Sequence, residues 1–248
     1  MPDSTMNRPL NLIFPMAGEG ARFGYRFKPF LEVRGTPFIA AAFAPFRRWQ
    51  TRIGRICFII TRAQEETHNV GIRLAALFPD LPVDLAILEA PTSGPAETLR
   101  QALDLRRIAG PAIVCDCDHA VDVDGLMAAA DDAAIACAVP TWPLDGEPLS
   151  AWSIAAMDKQ GRIRAIREKA LPEGGGEYRG VIGCYYFADI AAAGAVIARD
   201  RLTYISDLVA HVIASGERVM SVPVSHAEFF GDPARLAACT VPAESKRA

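Results

Sequence analysis

Short apolar runs alternate with longer amphipathic stretches through the first half of the chain. Each run is bounded by turn residues, as expected of a buried β-strand, and each longer stretch has the apolar spacing of a helix with one buried face. The predicted strands are Leu10–Phe14, Arg55–Thr61, Val83–Leu88 and Pro111–Cys115, and the predicted helices are Pro37–Trp49, Gln64–Leu77 and Ala96–Ile108. This alternation predicts a parallel sheet with helices on both faces.

The pattern changes after about residue 140. Two short strands flank the polar turn 158–161 and predict a β-hairpin, and three further elements follow it. These elements are the hairpin strands Trp152–Met157 and Arg162–Arg167, the strand Val181–Phe187, the helix Ile205–Ala214 and the strand Arg218–Val224. Residues 1–9 are polar and are predicted to be disordered. Since no repeat or long linker interrupts the rest, we expect residues 10–240 to form a single domain. Residues up to about 140 would bind one ligand, and residues from about 141 would form a wall of the binding site for a second ligand.

The charge balance excludes some function classes. Charged residues make up 22% of the 248 residues and the formal net charge is −3, so no global basic surface indicates nucleic acid or an anionic membrane as a partner. The first apolar segment, Leu10–Ala17, is too short for a signal peptide, and no run reaches the roughly 18 apolar residues of a membrane span. We therefore expect a cytoplasmic protein.

The six cysteines lie mostly inside apolar runs, where a thiol behaves as a small hydrophobic group. Cys115 and Cys117 form a C-x-C pair, but no partner pair or histidine stands at zinc-binding spacing. A structural role is favoured over a zinc site, and unpaired thiols suit a reducing compartment.

A glycine-rich loop with basic residues follows the first predicted strand, between Met16 and Pro29. Its glycines are Gly18, Gly20 and Gly24, and its basic residues are Arg22, Arg26 and Lys28. Glycines let backbone N–H groups approach a polyphosphate, and guanidinium and ammonium groups neutralise its charge. The loop therefore predicts phosphate binding, although a solvated loop with incidental charges is the simpler alternative.

A dinucleotide-binding fingerprint is a further alternative for this loop. That fingerprint needs a third glycine and an uninterrupted helix after it. Here Phe23 takes the place of the third glycine, and Pro29 and Pro37 interrupt the helix, so we set this interpretation aside.

Two acids, Asp116 and Asp118, come directly after the strand that ends at Cys115. Ligands of open α/β sheets bind at the carboxyl ends of strands, and carboxylate oxygens are preferred ligands of Mg²⁺. A metal site is therefore favoured over a surface turn with exposed acids.

These motifs together resemble the signature of the sugar-phosphate nucleotidyltransferases, the pyrophosphorylases that make nucleoside-diphosphate sugars. The resemblance rests on the G-x-G-x-R loop, on Lys28-Pro29 and on Gly35-x-Pro37, all in register, and it extends over most of the chain. It implies a Rossmann-like three-layer α/β sandwich whose mixed, mostly parallel sheet is related to that of the glycosyltransferase-A fold.

The resemblance also implies roles for individual residues. Arg22, Lys28 and Lys169 correspond to catalytic positions, and Glu168 and Gly183 correspond to the sugar-binding strand ends. The positions that correspond to nucleotide-binding residues are Ala17, Gly18, Gly20, Gly94 and Asp116. Asp118 corresponds to the ligand of Mg²⁺, the implied cofactor, and Asp116 is the alternate.

One departure from the family concerns the second metal-binding aspartate, whose register falls on Phe229. Either Glu228 or Asp207 substitutes for it, or the metal has one protein carboxylate together with phosphate oxygens and water.

The implied activity is attack by a sugar 1-phosphate, or a similar phosphorylated metabolite, on a nucleoside triphosphate with release of pyrophosphate. The amino-acid sequence of the loop most resembles that of enzymes of surface-polysaccharide precursor synthesis. Two alternatives stay open: a D-x-D glycosyltransferase that uses a nucleotide sugar, and a non-catalytic domain that senses nucleotide sugars. The base, the acceptor and the oligomeric state are not specified by the sequence.

Overall fold

The computed structural model describes residues 8–240 and contains a large mixed sheet with helices on both faces. The strands are β1 (Leu10–Pro15), β2 (Glu32–Val33), β3 (Thr36–Pro37), β4 (Ile53–Thr61), β5 (Val83–Leu88), β6 (Ala112–Cys115), β7 (His119–Val121), β8 (Cys137–Trp142), β9 (Ser153–Met157), β10 (Ile163–Glu168), β11 (Glu177–Val181), β12 (Cys184–Phe187), β13 (Val219–Pro223) and β14 (Ala227–Phe229). The helices are α1 (Phe38–Phe43), α2 (Arg62–His68), α3 (Val70–Leu77), α4 (Pro95–Arg106), α5 (Asp124–Ala129), α6 (Ile190–Asp200), α7 (Ile205–Ala214) and α8 (Pro233–Thr240).

The main sheet has the strand order β10-β9-β11-β8-β12-β6-β1-β4-β5, and β13 also pairs with β8. Strands β6, β1, β4 and β5 pair in parallel, as do β8 and β13, whereas the other pairings are antiparallel. The mixed sheet is confirmed, although its antiparallel pairings outnumber the parallel ones five to four. β7 and β14 form a separate two-stranded ribbon beside the main sheet.

Two hydrophobic cores cover the two faces of the sheet, which confirms the three-layer architecture. Alternate residues of β1 point to opposite faces, so Leu12 and Phe14 enter one core and Ile13 enters the other. Helices α1, α3 and α5 pack on the first face, and α4, α6 and α7 pack on the second.

Local backbone chemistry explains where the helices differ from the prediction. Asn69 adopts a left-handed conformation (φ 49°), and it divides the predicted helix Gln64–Leu77 into α2 and α3. The predicted helix Pro37–Trp49 is α-helical only to Phe43 and continues as a 3₁₀-helix over Ala44–Arg52.

The predicted strand Val181–Phe187 is interrupted, and the interruption lies beside the acidic turn after β6. β11 ends at Val181 and β12 begins at Cys184, so Ile182 and Gly183 lie between them. The Gly183 carbonyl oxygen accepts a hydrogen bond from the Asp116 backbone N–H at 2.7 Å. The break thereby ties the middle of the sheet to the acidic turn after β6.

No helix in the described part of the chain is long and apolar enough to cross a lipid bilayer. Most of the N-terminal segment that the sequence predicts to be disordered, residues 1–7, lies outside the described residues.

Candidate active site

The carboxyl ends of two neighbouring parallel strands meet at one edge of the sheet. β1 leads there into the glycine-rich loop, and β6 leads into Asp116 and Asp118. Ligands of open α/β sheets bind at such an edge. The fold thus brings the basic loop against the acidic turn, although Lys28 and Asp118 are 90 positions apart in the chain.

The glycine-rich loop folds back on itself around Gly20. The backbone N–H groups of Phe23 and Tyr25 donate to the Gly20 carbonyl at 2.9 and 3.1 Å. Gly20 has a positive φ of 70°, and a Cβ on it would overlap the Arg26 carbonyl oxygen. Only glycine fits this position without strain. The turn leaves Arg22 without an ion pair to any residue in the range 8–240 and directs Lys28 towards Asp118.

The carboxylate of Asp118 lies between two cationic groups. Lys28 Nζ donates to Asp118 Oδ2 at 2.7 Å, and His119 Nδ1 lies 3.4 Å from Asp118 Oδ1. Burial opposes all three charges, but the ion pairs outweigh it. The charge of Asp118 raises the pKa of Lys28, and the charge of Lys28 lowers the pKa of Asp118. Hydrogen bonds to Asp118 and to Cys115 raise the pKa of His119 to about 10.

Asp116 lies beside Asp118 and packs directly on Gly183. A Cβ on Gly183 would overlap Asp116 Oδ2, so any larger residue at 183 would displace the carboxylate. A Cβ on Gly231 would likewise overlap Asp118 Oδ2. Burial, followed by the charge of Asp118, raises the pKa of Asp116 to about 6.

Two cavities open on either side of the acidic turn. One, of about 390 Å³, runs along the glycine-rich loop, and the other, of about 330 Å³, extends towards β9 to β12. We name them the loop cavity and the far cavity. Both are lined by Arg22, Asp116, Asp118 and Gly231, so the two carboxylates form part of a wall common to both cavities.

The far cavity contains Glu168, which is held by two serine hydroxyls. Ser153 Oγ and Ser206 Oγ both donate to Glu168 Oε2, the latter at 3.0 Å. The other carboxylate oxygen, Oε1, lies 3.9 Å from Lys169 Nζ, which also lies over the Tyr204 ring. One oxygen of Glu168 is thus fixed by the protein, and the cavity surface beside it is suited to accept hydroxyl groups.

The outer wall of the far cavity is an aromatic and ionic cluster. The Arg235 guanidinium lies 5.0 Å from the Trp152 ring centroid and 5.3 Å from that of Phe229. Glu147 accepts hydrogen bonds from Arg235 at 2.7 Å and from Trp152 Nε1 at 3.1 Å. These contacts anchor α8 and the segment after β8 to each other at the cavity edge.

The structure brings most of the predicted site residues together, with three exceptions. Two are the nucleotide positions Ala17 and Gly94, and the third is Lys169, whose Nζ lies 3.9 Å from Glu168 Oε1 but which lines neither cavity. Arg22, Lys28, Gly18 and Gly20 line the loop cavity; Glu168 and Gly183 line the far cavity; Asp116 and Asp118 line both. Ala17 is buried beneath the loop. Gly94 lies against Thr203, where a Cβ would be 2.6 Å from the Thr203 carbonyl oxygen, and it lines neither cavity. The roles given to all of these residues stay predictions.

Neither candidate for the second metal ligand reaches the acidic turn. Glu228 Oε2 accepts a hydrogen bond from Arg34 at 2.6 Å in a separate cavity, and Asp207 caps α7 by accepting from the Tyr204 backbone N–H at 2.9 Å. Among residues 8–240, the group able to hold a metal ion is instead Asp116, Asp118 and His119, whose donor atoms lie within 4.8 Å of one another.

This donor group suits a divalent cation. Two carboxylates supply the charge and the oxygen ligands that such ions require. The Lys28 ammonium already lies against Asp118 Oδ2 as a positive counter-charge, which shows that this position favours a cation.

No site role was assigned from the sequence to Ser153, Ser206, Gly231 or His119. Isolated serines carry no signal in a single sequence. The position of His119 directly after the D-x-D pair could have indicated a third donor, because histidine is a common metal ligand.

A family model for the MobA-like NTP transferase domain matches residues 13–178, about two thirds of the chain. The chain belongs to the MobA-like NTP transferase family. The protein is therefore a nucleotidyltransferase, as the resemblance implied. No curated protein matches the chain in sequence.

Solved structures share the fold of this NTP transferase at low sequence identity. A nucleoside-diphosphate-sugar pyrophosphorylase from Vibrio cholerae RC9 is 18% identical, with a TM-score of 0.74 over 92% of this chain and 99% of that chain. A UDP-glucose pyrophosphorylase complexed with UDP-glucose is 14% identical, with a TM-score of 0.76 over 97% and 100%. The inositol-1-phosphate CTP transferase from T. maritima is 10% identical, with a TM-score of 0.73 over 96% and 93%. At these identities the likeness shows the fold alone.

Proposed function

We propose that the protein joins a nucleoside triphosphate to a sugar 1-phosphate, with release of pyrophosphate. The observation that carries this proposal is that Asp116, Asp118 and Arg22 line both cavities. A triphosphate in the loop cavity and a phosphorylated acceptor in the far cavity would meet at these residues. The acceptor phosphate is already an anion, so its in-line attack on the α-phosphorus needs no general base.

The basic residues would act by position and charge. Arg22 has no protein carboxylate as an ion-pair partner in the described range, so its guanidinium is available to the triphosphate. Lys28 lies against Asp118, which lines both cavities, and Lys169 lies beside Glu168 of the far cavity. Gly18 and Gly20 would let the backbone approach the phosphates. Catalysis of this kind depends on alignment and on neutralisation of the developing charge.

Mg²⁺ is the cofactor that we assign to Asp116 and Asp118. When bound, it would neutralise the phosphate oxygens of the triphosphate and align them. The carboxylate of Asp118 is kept ionised by Lys28 and His119, so it is ready to bind a cation.

The chemistry of the far cavity supports a hydroxyl-rich acceptor. Glu168 accepts hydroxyl donors already, and Gly183 lines the same cavity. Fifteen of the twenty residues that line this cavity lie beyond residue 140, in agreement with the proposed division into nucleotide-binding and acceptor-binding halves. We further assign the product to surface-polysaccharide precursor synthesis, on the resemblance of the loop alone.

A pyrophosphate-release screen tests the proposal. The purified protein is incubated with each nucleoside triphosphate against sugar 1-phosphates and polyol phosphates, with and without Mg²⁺. We expect pyrophosphate only when one triphosphate, one acceptor and the metal are all present. Asp118→Asn should abolish the signal, whereas Arg199→Ala, which removes an exposed ion pair far from the site, should not change it.

The two alternatives give different results in the same assay. A D-x-D glycosyltransferase would release a nucleoside phosphate from a nucleotide sugar and no pyrophosphate from a triphosphate. A sensing domain would bind nucleotide without turnover across the whole panel. Either result would refute the proposed reaction.

A further inference from the structure

His119 is the buried third member of the group formed with Asp116 and Asp118. Its relative exposure is 4%, and its Nδ1 atom lies 3.4 Å from Asp118 Oδ1. One ring nitrogen and one oxygen of each carboxylate lie within 4.8 Å of one another. A cation bound by both carboxylates would therefore lie next to an imidazole.

The pairing of β7 with β14 explains why the ring is on the cavity side. His119 is directly opposite Phe229 in this antiparallel ribbon, and directly opposed residues share a face. Both line the far cavity. Phe229 offers no ligand atom, so the ribbon presents only the imidazole to the acidic turn.

The neighbouring carboxylates are engaged elsewhere. Glu228 pairs with Arg34, and Asp207 caps α7. Asp232 lines the far cavity, but it caps α8 through the Arg235 backbone N–H at 2.9 Å and lies outside the three-residue group. Among the described residues, the third donor of this group is thus a ring nitrogen, and the carboxylates of Glu228 and Asp207 are not part of the group.

We propose that His119 is a direct metal ligand and that the site is a mixed nitrogen and oxygen site. This inference rests on the proposed function only in assigning a metal to the site. Imidazole favours transition-metal ions over Mg²⁺, which prefers oxygen. The site should therefore bind Mn²⁺ and Co²⁺ more tightly than Mg²⁺, in the order Mg²⁺, Mn²⁺, Co²⁺.

Pulsed electron paramagnetic resonance of Mn²⁺ added to the whole protein tests the ligand directly. We expect nitrogen-14 modulation of the Mn²⁺ echo, and we expect it to change to the nitrogen-15 pattern when the protein carries ring-labelled histidine. This comparison needs no substitution, so folding cannot confuse it. Bound Mn²⁺ without histidine modulation, or no Mn²⁺ binding with or without a triphosphate, would overturn the proposal.

Two matched variants identify the histidine. His119→Gln should lose the modulation and bind Co²⁺ at least about tenfold more weakly. Since loss of an outer-sphere partner can also weaken binding about tenfold, the affinity for Mg²⁺ is measured as well and should change less. His226→Gln removes a histidine from the separate cavity behind the ribbon and should keep both properties. Equal losses for Co²⁺ and Mg²⁺ would contradict direct ligation. Pyrophosphate release by the wild-type protein with Mg²⁺ tests the proposed function separately.

Discussion

Lys28 Nζ lies 2.7 Å from Asp118 Oδ2, so the loop after β1 and the turn after β6 are joined by an ion pair at the centre of the site. Both side chains are largely buried, with 27% and 18% of their surface exposed. Removal of one partner of such a pair leaves the other charge uncompensated. The pair therefore links the integrity of the acidic turn to the position of the loop.

Lys28→Ala tests the proposed role of this ammonium. If Lys28 neutralises charge in the transition state, kcat should fall about 10²-fold or more. The measurement is steady-state pyrophosphate release at saturating substrates. Lys159→Ala, in the exposed β9–β10 turn, is the matched control and should leave kcat unchanged. An unaltered kcat in Lys28→Ala would remove Lys28 from the catalytic set.

Gly183→Ala should disturb the acidic turn although no charged residue is substituted. The new methyl group would overlap Asp116 Oδ2, and overpacking of this kind costs about 1–3 kcal/mol of the free energy of unfolding. Activity should fall as well, because Asp116 must move. Urea denaturation and pyrophosphate release measure the two effects.

Gly18→Ala provides the contrast, because no atom lies within 4 Å of a Cβ at this position. The free energy of unfolding should change by no more than about 0.5 kcal/mol. If the Gly18 backbone lies against the triphosphate, the KM for the triphosphate should nevertheless rise. A loss of stability equal to that of Gly183→Ala would contradict the absence of atoms within 4 Å of a Cβ at Gly18.

The raised pKa of His119 predicts a pH-dependent stability in the absence of metal. Burial lowers this pKa, but the hydrogen bonds to Asp118 and Cys115, together with the charges of these two groups, outweigh burial and raise the pKa to about 10, from about 6.5 in an unfolded chain. The folded state thus holds the proton more tightly. The stabilisation is complete below pH 6.5 and is lost as the pH rises through 10.

Urea unfolding in EDTA between pH 6 and pH 10 measures this effect. The wild-type protein should be more stable than His119→Gln at pH 6, and the difference should shrink as the pH rises. A difference that stays constant over this range would show that His119 is uncharged in the folded protein.

The sequence could place Gly20, Lys28 and Asp118 at one edge of the sheet because their signals are local. Gly20 and Asp118 follow the ends of β1 and β6 within a few residues, and Lys28 belongs to the same loop as Gly20. β8 was not predicted because Pro140 interrupts its apolar run, and proline is disfavoured inside strands. Ser206 and Ser153 meet at Glu168 only through the packing of α7 on β9 and β10, which no local pattern encodes.

Buried thiols should resist modification until the protein unfolds. Five of the six cysteines are buried, and burial raises the pKa of Cys57, like that of Cys117, to about 12, so both stay protonated at pH 8. A disulfide reagent at this pH should modify only the half-buried Cys239 in the folded protein and all six in urea. Rapid modification of two or more thiols without denaturant would contradict the structural role of these cysteines.

Ser206→Ala tests whether Glu168 is oriented by the protein. Ser206 is 2% exposed and donates to Glu168 Oε2, and a hydrogen bond to a charged group contributes about 1.5–3 kcal/mol. If Glu168 binds acceptor hydroxyls, loss of this bond should raise the KM for the acceptor about tenfold while the KM for the triphosphate stays unchanged. Ser215→Ala, just after the end of α7, is the matched control because its hydroxyl bonds only to the Val212 carbonyl within the described residues. Equal changes in both KM values would point to a general disturbance of the fold, because only the acceptor cavity contains Glu168.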